Sequence, residues 1–300
     1  MRSTGNWCAI RARVQHEAVH AARQGFAGLE IRFAPRHPTD GAARMTVQAC
    51  AEMVKKGDPD RFLAVMAAPP AARAVLFPIY AFNVEVARAP WVTKESMIAE
   101  MRLQWWRDAL EEIAAGGVLR RHEVVVPLAH SLAGLAADEG TGRLDRLIVA
   151  RRSDIDSDPF ENAAAIDSYL SDTGGGLMRV AASALGAGAE EHEQAQALGS
   201  VGAFANYLLA VPALIAAGKQ PLPQDAEPWI AEQSHIYLKR FESNRKAQSG
   251  ALRHAALSVW RARGILRHSL RDPAAVIEGR LQGAEFARRA GLLRAQLFGV

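Results

Sequence analysis

Three groups of residues have types and spacings with chemical meaning. His16-Glu17-Ala18-Val19-His20 spells HExxH, which on a helix sets two imidazoles one turn apart to grip zinc while the glutamate activates water. The pattern does not continue. Arg23 stands where the longer zinc-protease motif needs glycine, and no amphipathic helix surrounds the run, so zinc proteolysis is not expected. Asp154, Asp156 and Asp158 open like a calcium loop, but Pro159 takes the place of the turn glycine and Ala165 that of the closing glutamate. A loop leading into a helix cap is expected there. Glu85, Asp108, Glu111, Glu112, Asp167 and Asp172 could gather into a metal site of their own, yet surface solvation or an i,i+4 ion pair explains each more simply. Trp105-Trp106 could stack on a ligand, with core packing the simpler account. Asn206 reads as a satisfied core amide before it reads as a binding residue. Cys8 and Cys50 lack CxxC spacing, so neither a disulfide framework nor a zinc cage is indicated, and a reducing cytoplasm fits.

Helices must position these groups. With 300 residues, 49% hydrophobic and 23% charged, the chain can bury a sizeable core. From Met45 onward good helix formers dominate. Between Thr93 and Ala115, Ile98, Met101, Trp105 and Ile113, with Leu103, Trp106 and Leu110 beside them, draw the apolar stripe of a core-facing helix. Val124 to Val126 is the one β-branched run, and Pro127 ends it. Breaks at Pro69-Pro70, Gly116-Gly117, Gly140 to Gly142, Asp154 to Pro159, Gly186 to Gly188, Gly218 to Pro223, Gly250 and Asp272-Pro273 separate the segments. One all-α domain over residues 45–300 is predicted. Residues 1–44 carry seven arginines, no lysine and no apolar signal core. They read as a disordered leader or a mis-assigned start, with Met45 the alternative first residue. Ala197 to Ala217 contains Asn206 and Pro212 and reads as a core helix, so no membrane-spanning helix is predicted. Net charge is +4, but from Lys239 to Val300 there are 13 Lys and Arg against four acids. Such a bias most simply solvates helix faces; peripheral contact with anionic lipid on the inner membrane is the alternative, and nucleic acid is not expected.

Arg73 to Trp91, followed by RLQWWRDAL at Arg102 to Leu110, resembles the opening of the squalene/phytoene synthase family, which reads YAFCRxxDDxVD. Tyr80-Ala81-Phe82 matches. Asn83 and Val84 replace Cys-Arg, and Ala87, Arg88 and Trp91 stand at the three aspartate positions. Tyr169 to Met178, YLSDTGGGLM, is similar to the family's YCxxVAGxVG helix, where small residues let an isoprenoid tail pass close to the backbone. A tight helix crossing at Gly174 to Gly176 accounts for the same residues equally well. The third family pattern, QLTNILRDVxxDxxxGRxYLP, lies without gaps on Ala203 to Pro223. Asn206, Leu208, Val211, Gly218, Leu222 and Pro223 keep their places, Lys219 keeps a positive charge, and Ala210 and Leu214 replace the two aspartates.

The resemblance spans roughly Ala51 to Leu222 and implies an isoprenoid-synthase-type helical bundle around a central cavity. Its implied lining residues are Arg73, Tyr80, Asn83, Tyr169, Gly175 and Asn206. In that family, aspartates on facing helices hold Mg²⁺ ions, which neutralise a departing diphosphate. Alanine and leucine cannot coordinate Mg²⁺, so neither a metal nor catalysis is expected. AFNVEVA followed by RLQWWRDAL most resembles the family's non-catalytic branch, related to a mitochondrial assembly factor for respiratory complex I. A binding or assembly protein is the implied function, with an isoprenoid or lipid ligand and a protein partner. Head-to-head condensation of two prenyl diphosphates, with Mg²⁺, is the alternative.

Overall fold

The computed structural model describes residues 46–93, 95–155, 159–246, 248–283 and 285–300. The HExxH run, the leader with Cys8, and Met45, Asp156 and Asp158 lie outside the described residues. The Thr46 hydroxyl accepts from the Ala49 N–H at 3.3 Å and starts α1 (Val47–Gly57). Asp58 then closes α1, donating to the Val54 carbonyl at 2.7 Å, and its carboxylate caps α2 (Pro59–Ala67) by accepting from the Arg61 N–H at 3.0 Å. Pro59 sits at the first helical position, where no hydrogen bond is lost. The Pro69-Pro70 break restarts the chain as α3 (Pro70–Arg88), in which every residue from Leu76 to Val84 is buried.

Helix α4 (Ser96–Ala115) buries Ala99, Leu103, Trp106, Ala109 and Leu110. That is narrower than the stripe the sequence drew, for Ile98 is 38% and Met101 66% exposed. The apolar residues span more of the circumference than one docking face covers. Val124 to Val126 does not form a strand. It leads into α5 (Val125–Leu132), whose Pro127 lies in the first turn, where its missing N–H had no helical partner to lose.

After α6 (Thr141–Arg151), the Asn162 side chain caps α7 (Ala163–Leu170). A π-helical turn, Ser171–Gly175, joins α7 to α8 (Gly176–Ala184). That turn lies against α9 (His192–Ala216), the longest helix described. Long and apolar enough to cross a membrane by length and composition, α9 is nevertheless half buried within this fold, packed also against α8 and α10 (Ala226–Asn244). Phe204 stacks on Tyr237 at 4.2 Å between ring centroids, fixing α9 to α10. Helices α11 (Gly250–Ala256), α12 (Ala262–Arg271), α13 (Ala274–Ile277) and α14 (Glu285–Phe298) complete the chain. No strand occurs among the described residues, as an all-α fold requires. One hydrophobic core runs from Cys50 to Leu281, and a small second cluster joins Ala64, Leu257 and Ala295.

Candidate functional site

A cavity of about 660 Å³ opens between α2, α3, α9 and the π turn. Asn83, Ala87 and Trp91 fall four residues apart, so α3 and the turn after it present them on one side, with Arg88 next to Ala87. Asn206, Ala210 and Leu214 repeat that spacing on α9. Tyr169, Thr173 and Gly174 supply a third wall. Segments more than a hundred residues apart in the chain thus meet around one space.

Three of the residues the resemblance assigned to the lining lie elsewhere. Arg73 stands in the first turn of α3, about 15 Å of helix before Asn83, and its Nε donates to the Ala68 carbonyl at 2.8 Å. Gly175 faces α9, where a Cβ would meet Ser200 Oγ at 2.7 Å and the Gln196 carbonyl at 3.0 Å, so its neighbour Gly174 lines the cavity instead. Tyr80 is 1% exposed and borders only a narrow adjoining cleft, beneath the Arg61 guanidinium at 4.9 Å from its ring. Burial pushes its phenol pKa up. Trp105 and Trp106 pack on each other and on His122, with Trp106 edge-on to Phe82 at 5.3 Å, away from the cavity.

Charge on the cavity wall is mostly positive. Arg151 Nη1 donates to the Tyr169 hydroxyl at 2.5 Å and to Asp154 Oδ2 at 2.9 Å, and the Tyr169 hydroxyl donates to Asp154 Oδ1 at 2.8 Å. Burial raises the Tyr169 pKa, and the neighbouring Asp154 carboxylate adds to the rise; burial works against the Arg151 charge, but Tyr169 and Asp154 outweigh it. The phenol stays protonated and the guanidinium charged. Lys219 donates to the Asp154 carbonyl and lies over the Trp91 ring at 5.3 Å. Opposite, Arg61 Nη1 donates to Asp58 Oδ2 at 2.6 Å, and Asp60 accepts from both Arg261 and Arg288. Asp58, Asp60, Arg61, Arg261 and Arg288 had no place in the sequence reading. Only the Asp58-Pro59 cap and its i,i+3 arginine carry a local signal; the Asp60 pairings join residues some two hundred apart.

The side chains do not fit Mg²⁺. Ala87, Arg88, Trp91, Ala210 and Leu214 offer it no oxygen, and each lining carboxylate, Asp58, Asp60 and Asp154, is engaged by guanidinium. No group of three metal-ligating side chains gathers among the described residues. Three of the candidate substitutes are committed elsewhere: Asp167 accepts from Arg240 and Tyr237 at 2.7 Å each, Glu112 pairs with Arg120, and Asp108 accepts from Gln104. Burial raises the pKa of Glu85, beside Arg88.

Comparison with known proteins places this geometry. The family model for squalene/phytoene synthase matches residues 54–286. Complex I assembly factor 6 of Bos taurus is 26% identical over 184 residues, 61% of this chain and 50% of that protein. The Homo sapiens counterpart is 26% identical over 139 residues, 46% of this chain and 40% of that protein. The chain therefore spans about half the length of the curated relatives it matches. Among solved structures, a dehydrosqualene synthase with bound ligand superposes with TM-score 0.69 at 14% identity, over 84% of this chain and 95% of that one. Squalene synthase HpnC from Alicyclobacillus acidocaldarius gives TM-score 0.62 at 14% identity, over 79% and 97%. At that identity the structures establish a shared all-α isoprenoid-synthase fold. With the family model covering most of its length, the chain belongs to the squalene/phytoene synthase family.

Proposed function

We propose that this protein is a non-catalytic binding or assembly factor whose cavity, isoprenoid-shaped by descent, takes a ligand without ionising it. The carrying observation is the makeup of the facing segments: Ala87, Arg88, Trp91, Ala210 and Leu214 line the space from α3, the turn after it and α9, and cannot hold a divalent cation. Ionising an allylic diphosphate requires neutralising several negative charges on the leaving group, and without bridging metals that stabilisation is missing where the charge develops. Relatives named for complex I assembly support respiratory complex I as the assembly target. A cytoplasmic or peripheral position at the inner membrane goes with that role. The basic C-terminal segment offers less free charge to a lipid surface than its composition implies, because Arg240, Arg245, Arg261, Arg263, Arg280 and Arg288 are all in ion pairs.

Purified protein incubated with farnesyl or geranylgeranyl diphosphate and Mg²⁺ is expected to release no pyrophosphate above a protein-free control; turnover would establish the head-to-head prenyltransferase alternative instead. Deleting the gene in its host is expected to lower assembled complex I on native gels, restored by the wild-type chain. Unchanged complex I would remove the assembly role.

A further inference from the structure

Where ion pairs leave cations unspent in the basic C-terminal segment, several of them gather on one face. Two contacts fix α10 antiparallel to α12: Ser234 Oγ lies 2.7 Å from Ser269 Oγ, and Arg263 Nε donates to Glu242 Oε1 at 2.7 Å. By that register Lys239 comes level with Arg267, and His235 with Arg271. All four are exposed, while Ile230, Ser234, Tyr237 and Phe241 of α10 and Ala262, Ile265, Leu266 and Ser269 of α12 turn to the core. Among the described residues, no carboxylate lies within ion-pair distance of Lys239, Arg267 or Arg271; Arg271 Nε donates to the Arg267 carbonyl instead. Along α10 the acids nearest these cations are Glu232 and Glu242, and Glu242 is already taken by Arg245 and Arg263. Helix α12 contains no acid, and Asp272 just beyond it accepts from Arg280.

Like charges one turn apart, as Arg267 and Arg271 are, weaken a helix, so the fold itself gains nothing from this cluster. An anionic partner would. None of the four lines the cavity, and the space around Gly264 on the same helix is open, so the face is a surface rather than a pocket. Ile236 stands 41% exposed within one turn of Lys239. Cations around an exposed aliphatic side chain suit the boundary between headgroups and acyl chains.

We propose that the outer face of α10 and α12 docks on an anionic lipid surface, with Lys239, Arg267 and Arg271 against the headgroups and Ile236 among them. The inference rests on the peripheral position proposed above, which it deepens by naming the surface, and it is independent of any ligand in the cavity.

Sedimentation of the full chain with vesicles tests it. Vesicles of phosphatidylcholine with about one-third phosphatidylglycerol are expected to pull the protein down, less so as salt rises, whereas phosphatidylcholine alone should not. Lys239→Gln with Arg267→Gln should weaken partitioning about twentyfold, from about fivefold per basic residue. The charge-matched control, Lys56→Gln with Arg121→Gln, removes two exposed cations elsewhere and should bind within about twofold of wild type. Both pairs occupy exposed positions, so their unfolding midpoints should match wild type. Absence of binding to anionic vesicles would overturn the proposal, as would equal binding to neutral ones. Equal weakening in the two double variants would show attraction by net charge alone and remove the face. Capture of polyglutamate without vesicle binding, lost in the Lys239→Gln/Arg267→Gln variant, would give the face to an acidic protein and overturn the lipid surface. Each of these results leaves the non-catalytic role standing, because pyrophosphate release measures that separately.

Discussion

Glu139 shows how one carboxylate can hold several helices in register behind the cavity. It accepts from Arg143 at 2.9 and 3.0 Å and from Arg179 at 2.6 and 2.8 Å, while Arg179 also reaches Glu193 at 2.9 Å on α9. The loop before α6, α6 itself, α8 and α9 are thereby tied together. Hydrogen bonds from Arg143, with Arg179 adding to them, hold the Glu139 pKa down to about 2. The folded carboxyl binds its proton more weakly than the unfolded one, so its stabilisation is complete above the unfolded value of 4.5 and drains away as pH falls toward about 2. Replacing Glu139 with Gln leaves Arg143, 15% exposed, without its carboxylate partner and Arg179, 11% exposed, with Glu193 alone. Near neutral pH the variant is expected to lose about 2 kcal/mol in urea unfolding, discounted for the partial exposure of the cluster. The gap from wild type should narrow between about pH 5 and pH 3, because wild type loses there what the variant already lacks. A gap constant across that range would show that Glu139 stabilises by packing alone.

At the scale of elements, the crossing of the π turn with α9 decides how close the cavity walls approach. A Cβ on Gly174 would meet the Gly199 carbonyl at 2.8 Å, and one on Gly199 would meet Met178 Cβ at 2.7 Å and run into the Gly174 carbonyl. Both obstacles include backbone, which cannot swing aside. Gly199→Ala is therefore expected to lower stability by about 2 to 3 kcal/mol through overpacking. Gly264, on the exposed side of α12 with open space around it, makes the matched control: Gly264→Ala should raise stability by about 0.5 to 1 kcal/mol through helix propensity. Equal unfolding midpoints for the two variants would deny the crossing its structural importance. The sequence reading left tight crossing and isoprenoid passage as equals for Gly174 to Gly176. The structure divides them: Gly175 serves the crossing, and Gly174 borders both crossing and cavity. Spacing alone could not make that division, because small residues satisfy both needs and only the rotation of the π turn relative to α9 separates them.

Across the whole molecule, local pattern disclosed what each helix carries and little about what closes the bundle. The segments that carry Asn83, Ala87 and Trp91 and Asn206, Ala210 and Leu214 were legible through their resemblance to the family's motifs, which are local stretches of sequence. The far wall was not, because Asp60 finds Arg261 and Arg288 only when the two ends of the described chain come together, and no sequence period records that meeting. Closure depends on α14. Ala295 fills the small cluster with Ala64 and Leu257, Gln296 Nε2 donates to the Ala67 carbonyl at 3.1 Å, and Arg253 Nη2 donates to the Gln296 carbonyl at 2.8 Å. A variant ending at Gly283 loses all of these and leaves Asp60 with Arg261 alone. It is expected to stay helical elsewhere, since the buried residues of the main core end at Leu281 and, of the residues removed, Val300 alone is seen to pack against them. Its urea midpoint should fall by the equivalent of about 2 to 4 kcal/mol, the scale of one lost apolar cluster and one broken ion-pair network. Limited proteolysis should at the same time begin to cut near α2, against which α14 packs. Should the shortened chain unfold at the wild-type midpoint with α2 still protected, the C-terminal helix would be an appendage, and the pairing of Arg288 with Asp60 would contribute nothing to closure.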